Sequence, residues 1–218
     1  MSQTFADVRL FVRQFQQRFY TTGAVLPSGR ALSRELARYV RQPATGAPAG
    51  RRILEVGPGT GPATDWIARG MQPDDTFDLV EINEQFVEHL RRRFASEPHL
   101  SAVSDRTRIL CQSIEALNGE ASYDVIVSGL PLNNFSVPEV ENILANFRAL
   151  LKPQGYCSFF EYIGIRRVKG LVVGKAERER LDGVNRAMQA FLTNEKERRP
   201  ILFNVPPAWV HHVQRPSG

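Results

Sequence analysis

The sequence predicts an α/β domain built on a mostly parallel sheet of seven strands, with helices on both faces. Three observations carry this prediction. From residue 53 onward, short apolar runs alternate with amphipathic stretches, the pattern of strands crossing over through helices. The first run, Ile53-Leu54-Glu55-Val56, opens into a glycine turn, Gly57-Pro58-Gly59-Thr60-Gly61, with Pro62 at a helix start. The last two runs, 201–205 and 208–213, are joined only by Pro206-Pro207, which suits an antiparallel edge on an otherwise parallel sheet.

The N-terminal 50 residues precede this pattern. Phe5, Val8, Phe11, Val12, Phe15 and Phe19 fall within about 120° of a helical wheel over residues 3–20, with Arg9 and Arg13 outside that arc and Arg18 at its edge. Such a face suits either insertion at a lipid interface or packing on the core. A loop leads to a second helix, about 30–41, capped near Ser28, with Leu32, Leu36, Tyr39 and Val40 spaced for burial. QPATGAPAG at 42–50 reads as a linker, so two parts are expected: 1–50 as a helical extension and 51–218 as the main domain.

Within the domain, strand one is 53–56 and its helix about 62–70. Strand two is 77–81, followed by a helix at 84–95 that turns Phe86, Val87, Leu90 and Phe94 inward. The run Arg91-Arg92-Arg93 on that helix reads as a solvated face or an anion site. Strands three and four are 107–111 and 123–128. Helix 137–151 buries Val140, Ile143, Leu144 and Phe147. Lys152-Pro153-Gln154-Gly155 reads as a turn into strand five, 156–163. Leu181, Val184, Met188 and Phe191 mark a helix at about 176–197.

Composition narrows the function. The net charge of +5 divides into +7 over residues 1–52, −8 over 53–162 and +6 over 163–218. Basic ends on an acidic middle imply an anionic partner, nucleic acid or membrane. No run approaches the roughly 20 apolar residues that span a bilayer, and the charged start shows no secretory leader. Cys111 and Cys157 read as buried free thiols suited to a reducing cytoplasm. His89, His99, His211 and His212 have no metal-site spacing, so no metal is expected.

The glycine turn carries the chemistry. Its spacing is G-x-G-x-G, and Pro62 stands where a dinucleotide fingerprint has its last glycine. Glu81 ends strand two, 24 residues after Gly57, where a carboxylate can accept from both ribose hydroxyls of a nucleoside. The turn with its preceding Glu55 resembles motif I of the class I S-adenosylmethionine (SAM) methyltransferases. The resemblance implies a Rossmann-like seven-stranded sheet, SAM as cofactor, and a cofactor site at Glu55, Gly57, Pro58, Gly59, Gly61, Glu81, Ile82, Ser113, Ile114 and Ser128. Ser113 stands where the family often has an acid toward adenine, and Glu115 is the alternative.

Strand four ends in Ser128-Gly129-Leu130-Pro131, not in the N-P-P-Y that grips a planar base in nucleobase methyltransferases. In order, the basic amphipathic N-terminal helix, GAVLPSGR at 23–30, LEVGPGTG at 54–61, VSGLPL at 127–132, LKPQG at 151–155 and NVPPAWV at 204–210 resemble the bacterial phospholipid N-methyltransferases and related ornithine-lipid enzymes. Gly29 departs from the serine more usual there. The resemblance implies an aminolipid acceptor and peripheral attachment to an anionic inner-membrane surface. Glu161, Tyr162, Tyr20 and Ser128 are then candidates for handling the acceptor amine, and Arg30, Arg166, Arg167, Lys169, Gly129 and Leu130 for holding the headgroup. Alternatives are an RNA adenine methyltransferase, a small-molecule amine or quinol methyltransferase, and a non-catalytic SAM-binding module.

Overall fold

In a computed structural model of the chain, residues 27–117, 119–163, 175–204 and 206–217 are described. The expected helix 3–20, Tyr20, Arg166, Arg167 and Lys169 lie outside them. Seven strands form one sheet: β1 (Arg52–Val56), β2 (Thr76–Glu81), β3 (Thr107–Cys111), β4 (Tyr123–Ser128), β5 (Leu151–Tyr162), β6 (Glu195–Ile201) and β7 (Ala208–Gln214). Their order is β3-β2-β1-β4-β5-β7-β6. The first five are parallel, and β7 runs antiparallel to both β5 and β6. The strand order reverses between β1 and β4, so their C-terminal ends open the crevice where α/β sheets bind ligands.

The helices are α1 (Pro27–Leu36), α2 (Arg38–Arg41), α3 (Thr64–Gly70), α4 (Glu84–Ser96), α5 (Pro98–Ser101), α6 (Val137–Leu150) and α7 (Lys175–Phe191). Local signals set their starts. Asn83 caps α4, its side chain accepting from the Gln85 N–H at 2.9 Å. Ser136 and Glu139 form a capping box on α6.

Strand alternation divides the core in two. Ile53, Phe77, Leu79 and Phe160 face α1–α4 through Leu36, Val40, Ile67 and Leu90. Leu54, Val56, Ile126 and Phe159 face α6 and α7 through Phe147, Val184 and Met188. Complete burial of each such side chain contributes about 1.5–3 kcal/mol. Thus α1 and α2 share a core with the sheet. Arg51, 2% exposed, reinforces this by bonding Asp75 and donating to the Tyr39 and Val40 carbonyls, both at 3.1 Å.

Several expected boundaries are corrected. Helix 30–41 is two helices that meet at Ala37, and Ser28 lies inside the first. Strand five starts at Leu151: the Lys152–Gly155 turn is an irregularity within it, with Gln154 at φ 61° and a register shift opposite Tyr123. The α7 helix stops at Phe191, and the strand placed at 201–205 is β6, Glu195–Ile201. Charged Glu195-Lys196-Glu197-Arg198-Arg199 forms a strand because β6 lies at the sheet edge, where no apolar alternation is required and Pro200 is tolerated. Cys157 is buried as expected, but Cys111 is exposed at the end of edge strand β3.

Candidate functional site

The site is built around the turn after β1. Val56 pairs with Val80 on one side and Ser128 on the other. The Gly57 N–H donates to the Val80 carbonyl at 2.9 Å, which starts the turn. Gly57, Gly59 and Gly61 have φ of 67°, 58° and 85°, a conformation other residues reach only with strain. Space excludes side chains as well: a Cβ on Gly57 would lie 2.5 Å from Leu130 Cδ2, and one on Gly61 would lie 2.6 Å from Arg93 Nη1.

The next loop closes against this one. The Gly129 N–H donates to the Val56 carbonyl at 2.8 Å, and a Cβ there would stand 2.5 Å from the Gly57 carbonyl oxygen. Ser128 is fully buried, and its Oγ accepts from the Leu130 N–H at 3.2 Å. It thereby shapes the loop that sets Leu130 against the glycines.

Glu81 closes the other side. Its Oε2 accepts from the Gly59 N–H at 3.1 Å and its Oε1 from the Asn83 N–H at 2.9 Å. The carboxylate is 2% exposed and anchored to the turn itself. The carboxylate thus links the glycine turn to the start of α4. Ile82, half-buried, follows it. Ser113 and Ile114 lie just past β3, joined to this edge by the Gln112 N–H donating to the Glu81 carbonyl at 3.1 Å. Glu115 is exposed and turned toward α6, where Asn142 Nδ2 donates to it at 3.4 Å.

Beneath the turn sits Glu55. It is 1% exposed, accepts from Thr64 Oγ1 at 2.7 Å, and keeps Oε1 without a hydrogen-bond partner. Burial raises its pKa to about 8, with the Asp65 and Glu81 charges adding to the effect. Arg93 braces the turn from outside. Its Nη1 donates to the Thr60 and Gly61 carbonyls at 2.8 and 3.2 Å, and its other nitrogens bond Asp65 and Glu97 at 2.6–2.8 Å. Asp65, Glu97 and His99 place ligand-type atoms within 4.8 Å of one another, but this guanidinium already bridges both carboxylates.

Of the arginine run, Arg91 and Arg92 are exposed, so the solvated reading holds for those two alone. The signal for Arg93 was available. At 100° per residue it falls near Phe86, on the inward arc of α4, whereas Arg91 and Arg92 fall outside it.

The acceptor candidates are distributed differently. Glu161 and Tyr162 are neighbours on β5, so their side chains point to opposite faces of the sheet. Tyr162 belongs to the α1–α4 face, where burial pushes its pKa up to about 12. Glu161 lies on the α6–α7 face with its Oε2 3.7 Å from Nε2 of His211. Arg30, a headgroup candidate, is exposed on α1. His211 is 2% exposed, its Nδ1 lies 2.6 Å from Glu195 Oε1, and its Nε2 has no hydrogen-bond partner. Sequence reasoning missed His211 and Thr64 alike.

The comparisons agree with this geometry. Residues 53–155 match the family described as "Methyltransferase domain". A curated relative, the ornithine lipid N-methyltransferase of Singulisphaera acidiphila, is 31% identical over 149 residues, covering 68% of this chain and 74% of its own length. The chain belongs to the class I SAM-dependent methyltransferases. A polyketide synthase-nonribosomal peptide synthetase of Aspergillus flavipes is 33% identical over 126 residues, but the methyltransferase spans only 3% of that protein.

Among solved structures, the Burkholderia thailandensis 1,6-didemethyltoxoflavin-N1-methyltransferase with bound S-adenosylhomocysteine superposes with a TM-score of 0.67 at 15% identity, covering 100% of this chain and 92% of the other. The O-methyltransferase TomG of Streptomyces achromogenes, in complex with SAM, gives 0.61 at 16% identity, covering 94% and 89%. The fold is therefore that of a SAM methyltransferase, and SAM is its cofactor. The left-handed glycines and the anchored Glu81 fit that nucleoside.

Proposed function

We propose that the enzyme methylates the headgroup amine of a membrane aminolipid, either phosphatidylethanolamine and its methylated intermediates or an ornithine lipid. The observation that carries this reading is the relation to an ornithine lipid N-methyltransferase across most of both chains. The SGLP loop supports it: Pro131 stands where nucleobase enzymes carry a stacking aromatic, and Leu130 packs toward the glycines.

In this reading Glu81 accepts from the ribose hydroxyls, and the glycine turn lets the backbone pass close to the cofactor with no Cβ in the way. Pro58 and Glu55 hold the turn, while Ile82, Ser113 and Ile114 flank the adenine. Ser128, Gly129 and Leu130 wall off the acceptor side. SAM supplies a methyl on a sulfonium; the protein supplies alignment, which contributes several kcal/mol, and removes the ammonium proton. Glu161 takes that proton in this reading, and the His211 ring 3.7 Å from its Oε2 supports the role. Tyr20 shapes the amine pocket; Tyr162, on the face opposite Glu161, packs in the α1–α4 core. Arg30, Arg166, Arg167 and Lys169 hold the lipid phosphate with charge-assisted hydrogen bonds. The N-terminal helix expected at 3–20 acts as lid and membrane attachment at the cytoplasmic face. Among the described residues no helix is long and apolar enough to cross a membrane.

Incubation with methyl-labelled SAM and either phosphatidylethanolamine vesicles, ornithine-lipid vesicles or total RNA tests the reading. Label in the lipid phase is expected. Label in RNA alone, or in neither lipid, overturns it; the polyketide-synthase similarity then favours a small-molecule acceptor.

A further inference from the structure

Among the described residues, the large hydrophobic side chains left exposed are Leu202 and Phe203, at 65% and 91%. Single exposed apolar residues are ordinary. These two are adjacent, and they share the turn between β6 and β7.

The turn is well anchored from below. Asn204 is 6% exposed, and its Nδ2 donates to the Pro206 carbonyl at 2.6 Å. The Pro207 carbonyl accepts from the Ile163 N–H at 2.7 Å, which ties the turn to the end of β5. Pro206 and Pro207 restrict the backbone further. The apolar pair is thus held out in water on a constrained support.

Its position follows from strand directions. Both β5 and β6 run antiparallel to β7, so β6 is parallel to β5. The β6–β7 turn therefore lies on the sheet edge that carries the glycine turn and Glu81. Behind it, the acids of β6 are engaged inward: Glu195 with His211 at 2.6 Å, and Glu197 with Arg38 at 3.2 Å and with Arg199. Lys196, Arg198 and Arg199 are exposed.

We propose that Leu202 and Phe203 form an insertion tip that enters an anionic lipid surface, with Arg199 and Arg198 nearest the phosphate level and Lys196 farther along the strand. The proposal rests on the aminolipid reading for its biological sense and deepens it by naming a docking element outside the N-terminal helix. Two side chains with cations behind them match the depth and charge order of a lipid interface. A protein partner fits less well. A stable interface buries about 800 Å² on each side, far beyond these two residues, and strand addition on β6 is blunted by Pro200 and its charges.

Co-sedimentation of the full chain with phosphatidylcholine vesicles, with and without phosphatidylglycerol, tests the tip. Binding that requires phosphatidylglycerol is expected, and the double variant Leu202→Ser, Phe203→Ser should weaken it about 100-fold while SAM affinity stays at the parent value. Phe203→Trp should gain fluorescence quenching by acyl-brominated lipid beyond that of the parent, which carries Trp66 and Trp209. Unchanged sedimentation of the double variant overturns the proposal, as does a Phe203→Trp signal that bromine does not quench. Loss of self-association with vesicle binding intact assigns the tip to a protein contact and also overturns it. These vesicles contain no primary amine, so the outcome is independent of whether aminolipid accepts a methyl.

Discussion

The two halves of the sheet solve different problems. From β3 to β4, the cofactor half is braced by its own backbone. Glu81 holds the Gly59 N–H, Arg93 holds the Thr60 and Gly61 carbonyls, and Gly129 closes on the Gly57 carbonyl. From β5 to β6, the half proposed to meet the acceptor spreads its polar groups over both faces. Adjacent His211 and His212 point oppositely, one to Glu195 and Glu161, the other to Ser158 at 2.8 Å and Glu35 at 3.4 Å. A nucleoside has fixed dimensions and can be met by a rigid cradle. The polar groups of the acceptor half have instead been drawn from elements distant in the chain.

The sharpest way to break the cofactor half is Gly129→Ala. The new methyl meets backbone, the Gly57 carbonyl at 2.5 Å, and backbone cannot rotate away. Overpacking of this kind costs about 1–3 kcal/mol. SAM affinity measured by calorimetry should fall at least about 100-fold, since the displaced backbone is the cradle itself. An unchanged Kd would mean that the two loops move independently.

Next in size is Arg93→Ala. It leaves the Thr60 and Gly61 carbonyls, Asp65 and Glu97 without their shared donor. Hydrogen bonds to charged groups contribute about 1.5–3 kcal/mol each, part of which water restores at this half-buried site. A drop in Tm of about 5 °C and roughly tenfold weaker SAM binding are expected. Arg92→Ala, on the exposed side of α4, should change neither. Equal effects of the two would show that Arg93 is only surface charge.

Glu55 gives the most gradual effect. Burial raises its folded pKa from the ordinary 4.5 to about 8. Between those values the unfolded chain loses its proton while the folded protein keeps it, so stability falls as pH rises through that window. The slope is at most about 1.4 kcal/mol per pH unit, or roughly 3–5 °C in Tm. Glu55→Gln should flatten the Tm profile from pH 5 to 8. A profile that keeps its slope would place the titration elsewhere. Asp78 bounds the opposite case. Burial pushes its pKa up, but bonds from Arg108, Tyr123 and Arg52 outweigh it and hold the carboxyl below its usual range.

Legibility followed the same division. Gly57, Gly59, Gly61 and Glu81 were readable because a nucleoside site needs fixed residue types at a fixed spacing along one β-α-β unit. The stripes Phe86-Val87-Leu90-Phe94 and Val140-Ile143-Leu144-Phe147 were readable because burial imposes helical period, and all eight are buried. β6 was not readable, since an edge strand needs no apolar face. The His211–Glu161 approach was not readable either, although 50 residues separate the two: Phe159 pairs with His211 only after β7 docks antiparallel on β5.

By itself, then, the sequence determined the α/β class, the glycine cradle and its cofactor, and most of the two core faces, because those depend on local periodicity and short-range spacing. Tertiary structure alone decided that Arg93 supports the turn, that Glu161 and Tyr162 part to opposite faces, and that Leu202 and Phe203 stand exposed at the ligand edge. Each of these depends on which strand lies beside which, and strand pairing is a contact between residues far apart in the chain.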